Sequence, residues 1–198
     1  MLFNLVGTQF VHNDQTYEIR KPHKEDLPLL ANMINTAYAM WNHLGRGEQS
    51  QETIESFLMQ DGLVVHQAKT GKPCGTLCMR DAAPEIKGNK IFIHRAERID
   101  EATLLEPEKT ALSFQGKKFA GFYGLSVDPS LARSGLGLSI LTHCFYKIQS
   151  AGFDGVLLET GKDTGWLVAW YERLGCKMIG EGLLHGTDIR TVMMVKWC

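Results

Sequence analysis

The stretch 122–152 constrains the fold more than any other part of this chain. Phe122-Tyr123-Gly124-Leu125-Ser126-Val127 is a short apolar run with aromatic and β-branched residues, and it predicts a buried strand. Asp128-Pro129 ends it, because proline has no amide to give to a sheet. Ala132-Arg133-Ser134-Gly135-Leu136-Gly137-Leu138 follows. Apolar residues then recur at Leu136, Ile140, Leu141, Cys144, Phe145 and Ile148, the spacing of one helix face. Ala151-Gly152 closes that helix with a glycine just past its end. The pattern is a strand, a glycine-containing turn and a helix that starts at once. The first amides of a helix lack an internal partner and sit at the positive end of its dipole. Two glycines let a ligand approach the backbone there, which suits a pyrophosphate. An ordinary strand–helix connection is the bland alternative. Two other phosphate motifs fit worse. A P-loop needs Gly-Lys-Ser/Thr, and Gly137 is followed by Leu138-Ser139. A dinucleotide fingerprint needs a third glycine where Ile140 stands.

The 198 residues suit one domain, 1–198, with a good core. Twenty-one basic residues against 22 acidic ones give a net charge of −1, which offers no footprint for nucleic acid. Met1 to Val11 is apolar in part but lacks a basic start and is broken by Asn4, Thr8 and Gln9, so no secretory signal is expected. Five cysteines, an odd number, then fit a reducing cytoplasm best. Cys74-x-x-x-Cys78 has no second ligand pair and the seven histidines are scattered, so no metal is expected. No apolar run reaches the length of a membrane span.

Taken in order, residues 2 to 20 predict two strands around His12-Asn13-Asp14, the first an extra N-terminal strand within 1–15. Leu27, Leu30, Ile34, Ala37, Tyr38 and Trp41 predict a helix face. A second helix runs from about Ser50, its N-cap, to Gln60, and Asp61-Gly62 reads as a turn. Leu63 to Ala68 and Cys74 to Arg80 read as strands joined by Thr70-Gly71. Residues 82–117 read as an insertion with a short strand at Lys90 to His94 and no clean period over Asp100 to Thr110, so it holds its own hairpin or is mobile. Gly155 to Glu159 predicts a strand, Thr164 to Leu174 a helix closed by Gly175, and Lys177 to Gly180 and Ile189 to Trp197 the final strands.

Val127-x-Pro129 followed by Arg133-x-Gly135-Leu136-Gly137 resembles the acetyl-CoA loop of the GNAT superfamily of N-acetyltransferases. The family loop reads Gln/Arg-x-x-Gly-x-Gly/Ala; here Ala132 holds the first position and Arg133 falls one later. Trp170-Tyr171-Glu172-Arg173-Leu174-Gly175-Cys176 resembles the family's Leu-Tyr-Glu-x-Leu-Gly-Phe ending. The resemblance runs from about residue 16 to the C-terminus. It implies an α/β (α+β) fold: a mixed, mostly antiparallel central sheet flanked by about four helices. The insertion would lie between the third and fourth family strands.

The resemblance also implies a chemistry: acetyl-CoA as co-substrate, no metal, and transfer of the acetyl group to a primary amine by direct attack on the thioester. Amides of Arg133, Ser134, Gly135, Leu136, Gly137 and Leu138 would hold the pyrophosphate. The backbone of Leu125 and Val127 would pair with the pantetheine arm and help place the thioester carbonyl. Thr164 stands where the family usually has Asn near the cofactor, and Leu167 where it has Ala. Glu159 would take a proton from the amine, which attacks only when neutral. Tyr171 would return one to the departing sulfur. Core packing for Tyr171 and a solvated strand end for Glu159 are their bland readings. The amine belongs to a small molecule or a protein N-terminus. Glu48, Glu52 and Glu101 are loose candidates to receive a cationic one. The resemblance admits a homodimer and names neither nucleic acid nor membrane as a partner. A non-catalytic acyl-CoA-binding or sensing module on the same fold is the alternative function.

Overall fold

The computed structural model describes residues 5–40, 49–94, 99–184 and 186–198. Trp41, Glu48 and residues 2–4 of the expected first strand lie outside them. The architecture is mixed α/β, with mostly antiparallel strands and five α-helices among the described residues. No helix among these residues is long and apolar enough to cross a membrane. The chain divides into two compact units: Met1–Arg80 with Tyr123–Lys147, and Asp81–Phe122 with Ile148–Cys198.

The first unit starts with a hairpin of β1 (Gln9–His12) and β2 (Gln15–Arg20). Its two-residue loop, Asn13-Asp14, has φ of 47° and 59°. Short polar side chains tolerate that left-handed backbone, and such a loop matches the twist of paired strands. A single 3-10 turn then leads into α1 (Leu27–Met40), and α2 (Gln51–Asp61) follows. The Ser50 hydroxyl accepts from the Thr53 amide at 3.2 Å, capping α2 as its sequence predicts. β3 (Gly62–Gln67) pairs antiparallel with β2 and with β4 (Pro73–Ala82), whose last two residues fall in the other unit. The expected face of α1, with Leu27, Leu30, Ile34 and Ala37, is buried together with Ile54 and Leu58 of α2 and Val64 and Cys78 of the strands. Each fully buried Leu or Ile there stabilises by about 1.5–3 kcal/mol.

Asp61-Gly62 is not a separate turn. The helix passes straight into the strand, and Gly62 has an ordinary extended backbone with φ −73° and ψ 148°. Space explains the glycine: a Cβ at Gly62 would lie 2.2 Å from the Leu58 carbonyl oxygen. Backbone cannot step aside as a side chain can. Gly62→Ala is therefore expected to destabilise by about 1–3 kcal/mol, the usual range for overpacking, read as a lower urea midpoint at unchanged slope.

The second unit holds β5 (Pro84–Lys87), β6 (Lys90–His94), β7 (Ile99–Leu104), α3 (Pro107–Phe114), β9 (Gly155–Gly161), α5 (Gly165–Arg173), β10 (Lys177–Leu183) and β11 (Arg190–Trp197). It also takes the first four residues of β8 (Phe119–Val127). The strand order here is β8-β9-β11-β10-β7-β6-β5. β8 and β9 are parallel over Phe119–Phe122 and Gly155–Leu158, and the other recorded pairs are antiparallel. Residues 82–117 thus carry strands and a helix of their own. β7 escaped the sequence reading because its alternation is inverted in character. Asp100, Ala102 and Leu104 face inward while Ile99, Glu101 and Thr103 are exposed. A buried acid and an exposed isoleucine erase the hydrophobic period. Phe114, Phe119 and Trp197 form an aromatic centre for this core, with centroids 4.3, 5.5 and 5.3 Å apart.

Candidate functional site

In the first unit, Tyr123–Val127 of β8 lead into the loop and then into α4 (Leu136–Ser150), which belongs to this unit as far as Lys147. Gly124 has φ +66°, and a Cβ there would press on Cys78 Sγ at 3.3 Å and the Phe57 ring at 3.6 Å. The left-handed residue interrupts the pleat just before Leu125 and Val127, both half-buried. The strand is held from below by hydroxyls: Thr76 donates to the Gly124 carbonyl at 3.2 Å and lies 2.7 Å from the Ser126 hydroxyl. Asp128 then fastens the loop. Its amide donates to the Cys74 carbonyl, and its carboxylate accepts from the Ser130 amide and hydroxyl at 2.9 and 2.7 Å. Lys72 Nζ sits 2.9 Å from the other oxygen. Burial pushes the Asp128 carboxyl up, but the Lys72 ammonium and Ser130 outweigh it and hold the group below its ordinary range.

Beyond a 3-10 turn at Pro129–Leu131, Arg133 is exposed with φ +62° and Gly135 has φ +88°. This places two left-handed residues within three positions, one of them an arginine that no glycine rule would find. The Ser134 amide donates to the Leu131 carbonyl at 3.2 Å, and the Leu136 amide to Ser134 Oγ at 3.2 Å. The first helical bond runs from Ser139 to the Gly135 carbonyl at 3.1 Å. Gly137 and Leu138 therefore come too early in α4 to find an intrahelical carbonyl. The Ser134 and Leu136 amides, by contrast, donate within the loop itself.

One neighbour of this loop has no signal in the local sequence. His12, at the end of β1, has Nδ1 2.9 Å from Ser139 Oγ in the first turn of α4. A Cβ on Gly135 would stand 3.4 Å from His12 Cε1. Farther along α4, His143 Nε2 lies 2.9 Å from Thr8 Oγ1, and its ring stacks on Phe10. Burial holds the His143 pKa below its ordinary value, with a smaller push from Lys147. Cys144 is fully buried, which pushes its thiol up to about 12 and leaves it a small apolar side chain.

In the second unit, Glu159 does not end its strand. β9 continues through Gly161, because β11 runs alongside with Thr191 opposite Gly161 and Met193 opposite Glu159. Glu159 is half-buried, and the Thr191 hydroxyl donates to its Oε1 at 2.8 Å. Thr164 precedes α5 and is buried, its hydroxyl donating to the Gly161 carbonyl at 2.6 Å. Leu167 and Tyr171 form the buried face of α5. Tyr171 is 6% exposed, its ring lies 5.1 Å from that of Trp170, and its carbonyl accepts from the Cys176 amide. Gly175, at φ +81°, ends the helix. Leu125, Val127 and 133–138 thus share the first unit, and Glu159, Thr164 and Tyr171 share the second. Among the described residues no group of three His, Cys, Asp or Glu could hold a metal ion.

The fold is that of the GNAT acetyltransferases. A GNAT-family acetyltransferase from Streptococcus agalactiae matches with a TM-score of 0.63 at 14% identity, over 92% of this chain and 95% of that one. An N-acetyltransferase for a ribosomal-protein alanine, from Escherichia coli, matches with a TM-score of 0.54 at 17% identity, over 90% and 92%. N-acetylglutamate synthase from Neisseria gonorrhoeae, complexed with coenzyme A and N-acetyl-glutamate, matches with a TM-score of 0.56 at 15% identity, over 91% of this chain and 35% of that one. No protein-family model and no curated protein matches the chain.

Proposed function

We propose that the protein is an acetyl-CoA-dependent N-acetyltransferase that moves an acetyl group to a primary amine by direct attack on the thioester. The observation that carries this reading is the loop of the first unit. Gly135 at φ +88° opens a helix whose Gly137 and Leu138 amides have no helical acceptor, at the end of a strand in a GNAT fold. Those amides, with the loop from Arg133, would receive the pyrophosphate, and Leu125 and Val127 would align the pantetheine arm. Glu159 would take the amine's proton through water, and Tyr171 would protonate the leaving thiolate. As the nitrogen–carbon bond forms and the carbon–sulfur bond breaks, one proton leaves nitrogen and one reaches sulfur. The coenzyme A bound to the Neisseria synthase supports the choice of cofactor. The odd number of cysteines, five, supports a cytoplasmic location.

Thermal melts test the cofactor directly. Acetyl-CoA or desulfo-CoA at about a hundred times its dissociation constant should stabilise the fold by about 2.7 kcal/mol. No shift with either would sink the assignment. A second reading, a non-catalytic acyl-CoA-binding or sensing module, is favoured by Thr164, whose hydroxyl is bound to the Gly161 carbonyl. Thiol release from acetyl-CoA with a panel of amines separates the two: a sensor binds and shifts its melt but releases none.

A further inference from the structure

Two hydroxyls lie buried in the first unit, Thr76 on β4 and Ser126 on β8. Their oxygens are 2.7 Å apart, and Thr76 Oγ1 is 3.2 Å from the Gly124 carbonyl oxygen. A carbonyl can only accept, so the single Thr76 proton goes to Gly124 and the Ser126 hydroxyl donates to Thr76. The three groups form one directed chain, from Ser126 through Thr76 to the Gly124 carbonyl. A buried hydroxyl costs stability unless it is bonded, and an apolar residue of the same size would fill the space without that demand. The chain ends on a peptide that the regular pleat does not orient. Gly124 has φ +66°, and a Cβ there would press on Cys78 Sγ at 3.3 Å. The N–H and C=O of a trans peptide point in opposite directions. With the Gly124 carbonyl drawn to Thr76, the Leu125 amide points away from β4. Strand alternation gives the same direction. The Asp128 amide donates to the Cys74 carbonyl of β4 at 2.8 Å, so the Ser126 amide faces β4 and those of Leu125 and Val127 face away. Among the described residues β8 pairs with β9 as far as Phe122, opposite Leu158, and Leu125 comes after that in the chain.

We infer, resting on the transferase reading, that Thr76 is a positioning residue for the acyl transfer. Through the Gly124 carbonyl it aims the Leu125 amide at the thioester oxygen, and the Ser126 hydroxyl fixes the direction of the Thr76 bond. As the amine nitrogen bonds to the acetyl carbon, the carbonyl electron pair moves onto oxygen. The pair returns as the carbon–sulfur bond breaks, and the two protons travel as described above. The Leu125 amide donates to that oxygen while it carries the charge. A donor already held in place needs no reorganisation at that moment. Hydrogen bonds in a chain polarise one another, so a carbonyl engaged by Thr76 makes the amide of its own peptide the stronger donor. Both hydroxyls act through the backbone.

The test uses the whole protein with acetyl-CoA carrying carbon-13 at the thioester carbonyl. Infrared difference spectra read the carbonyl stretch of the bound cofactor, which falls as hydrogen bonding to its oxygen strengthens. Thr76→Val removes the hydroxyl at nearly the same shape, and Thr76→Ser keeps it. Thr76→Val should raise the carbonyl frequency above that in the unchanged protein. It should also lower kcat at least about tenfold, part of what a lost oxyanion donor costs. Turnover is measured with whichever of n-butylamine, putrescine and alanine amide the unchanged protein acetylates fastest. Acetyl-CoA affinity by calorimetry and the amine KM should stay within about twofold, because the interaction strengthens only in the transition state. Thr76→Ser should restore both frequency and kcat. Should Thr76→Val not fold, Thr76→Ala removes the same hydroxyl without setting a methyl against the two oxygens it leaves, and must show the same two changes. An unchanged frequency or kcat in the hydroxyl-free variant overturns the inference. So does a loss carried by cofactor affinity instead, or one that Thr76→Ser shares in full, which would mark a packing role. If none of the three amines is acetylated, the frequency alone decides. Failure of the unchanged protein to bind acetyl-CoA overturns the transferase reading instead.

Discussion

Gly137→Asp should stabilise the ligand-free protein and abolish its binding of acetyl-CoA. Opposite signs from one substitution follow from the position. Gly137 has no left-handed backbone, and a Cβ there would meet only Val127 Cγ2, at the ordinary distance of 3.6 Å. Replacing glycine by aspartate in a helix gains only about 0.3 kcal/mol, because aspartate is itself a poor helix former, and an acid in the first turn gains about 0.3–1 kcal/mol from the dipole. The same carboxylate would face the cofactor phosphates. Two unit charges 4 Å apart near a protein surface repel by about 4 kcal/mol, close to a thousandfold in affinity. Gly137→Ala is the control and should keep most of the binding. Gly135→Asp should lose binding too, but at a stability cost of about 1–2 kcal/mol, because φ there is +88°. Melts with and without acetyl-CoA read both quantities. Full acetyl-CoA binding in Gly137→Asp would remove the phosphates from this helix end.

Tyr171→Phe should lower turnover at least about tenfold while leaving acetyl-CoA affinity nearly unchanged, since a general acid is worth about a hundredfold or more. Tyr171 is buried in α5 beside Trp170, so the ring of the variant packs as before and only the hydroxyl goes. Glu159→Gln acts on the other proton. Gln keeps the shape and an oxygen that can accept from the Thr191 hydroxyl, as Glu159 does at 2.8 Å, but it cannot take a proton. The acidic limb of the pH–rate profile should then move or vanish, with partial recovery as pH rises and free amine becomes abundant. The two losses should combine less than additively if both groups serve one transition state. Unchanged kinetics in Glu159→Gln at every pH would take the base from Glu159 while leaving the acid in place.

The segments that the sequence by itself determined are those whose signals are local. The 122–152 stretch reads as strand, turn and helix because Pro129, Gly135, Gly152 and the spacing from Leu136 to Ile148 act within a few residues of one another, and all lie where that reading puts them. The Ser50 cap and the Asn13-Asp14 loop were legible for the same reason. Tertiary structure decided the rest. β7 shows no period because Asp100 turns inward, which only its packed neighbours permit. Glu159 lies inside its strand rather than at the end because β11 extends beside it. The Tyr123–Asp61 contact spans 62 positions and the His12–Ser139 contact 127. Periodicity and capping report the chemistry of adjacent turns and alternate faces. Which side chains meet across such separations depends on strand register and helix packing, and those are fixed only when the whole core closes.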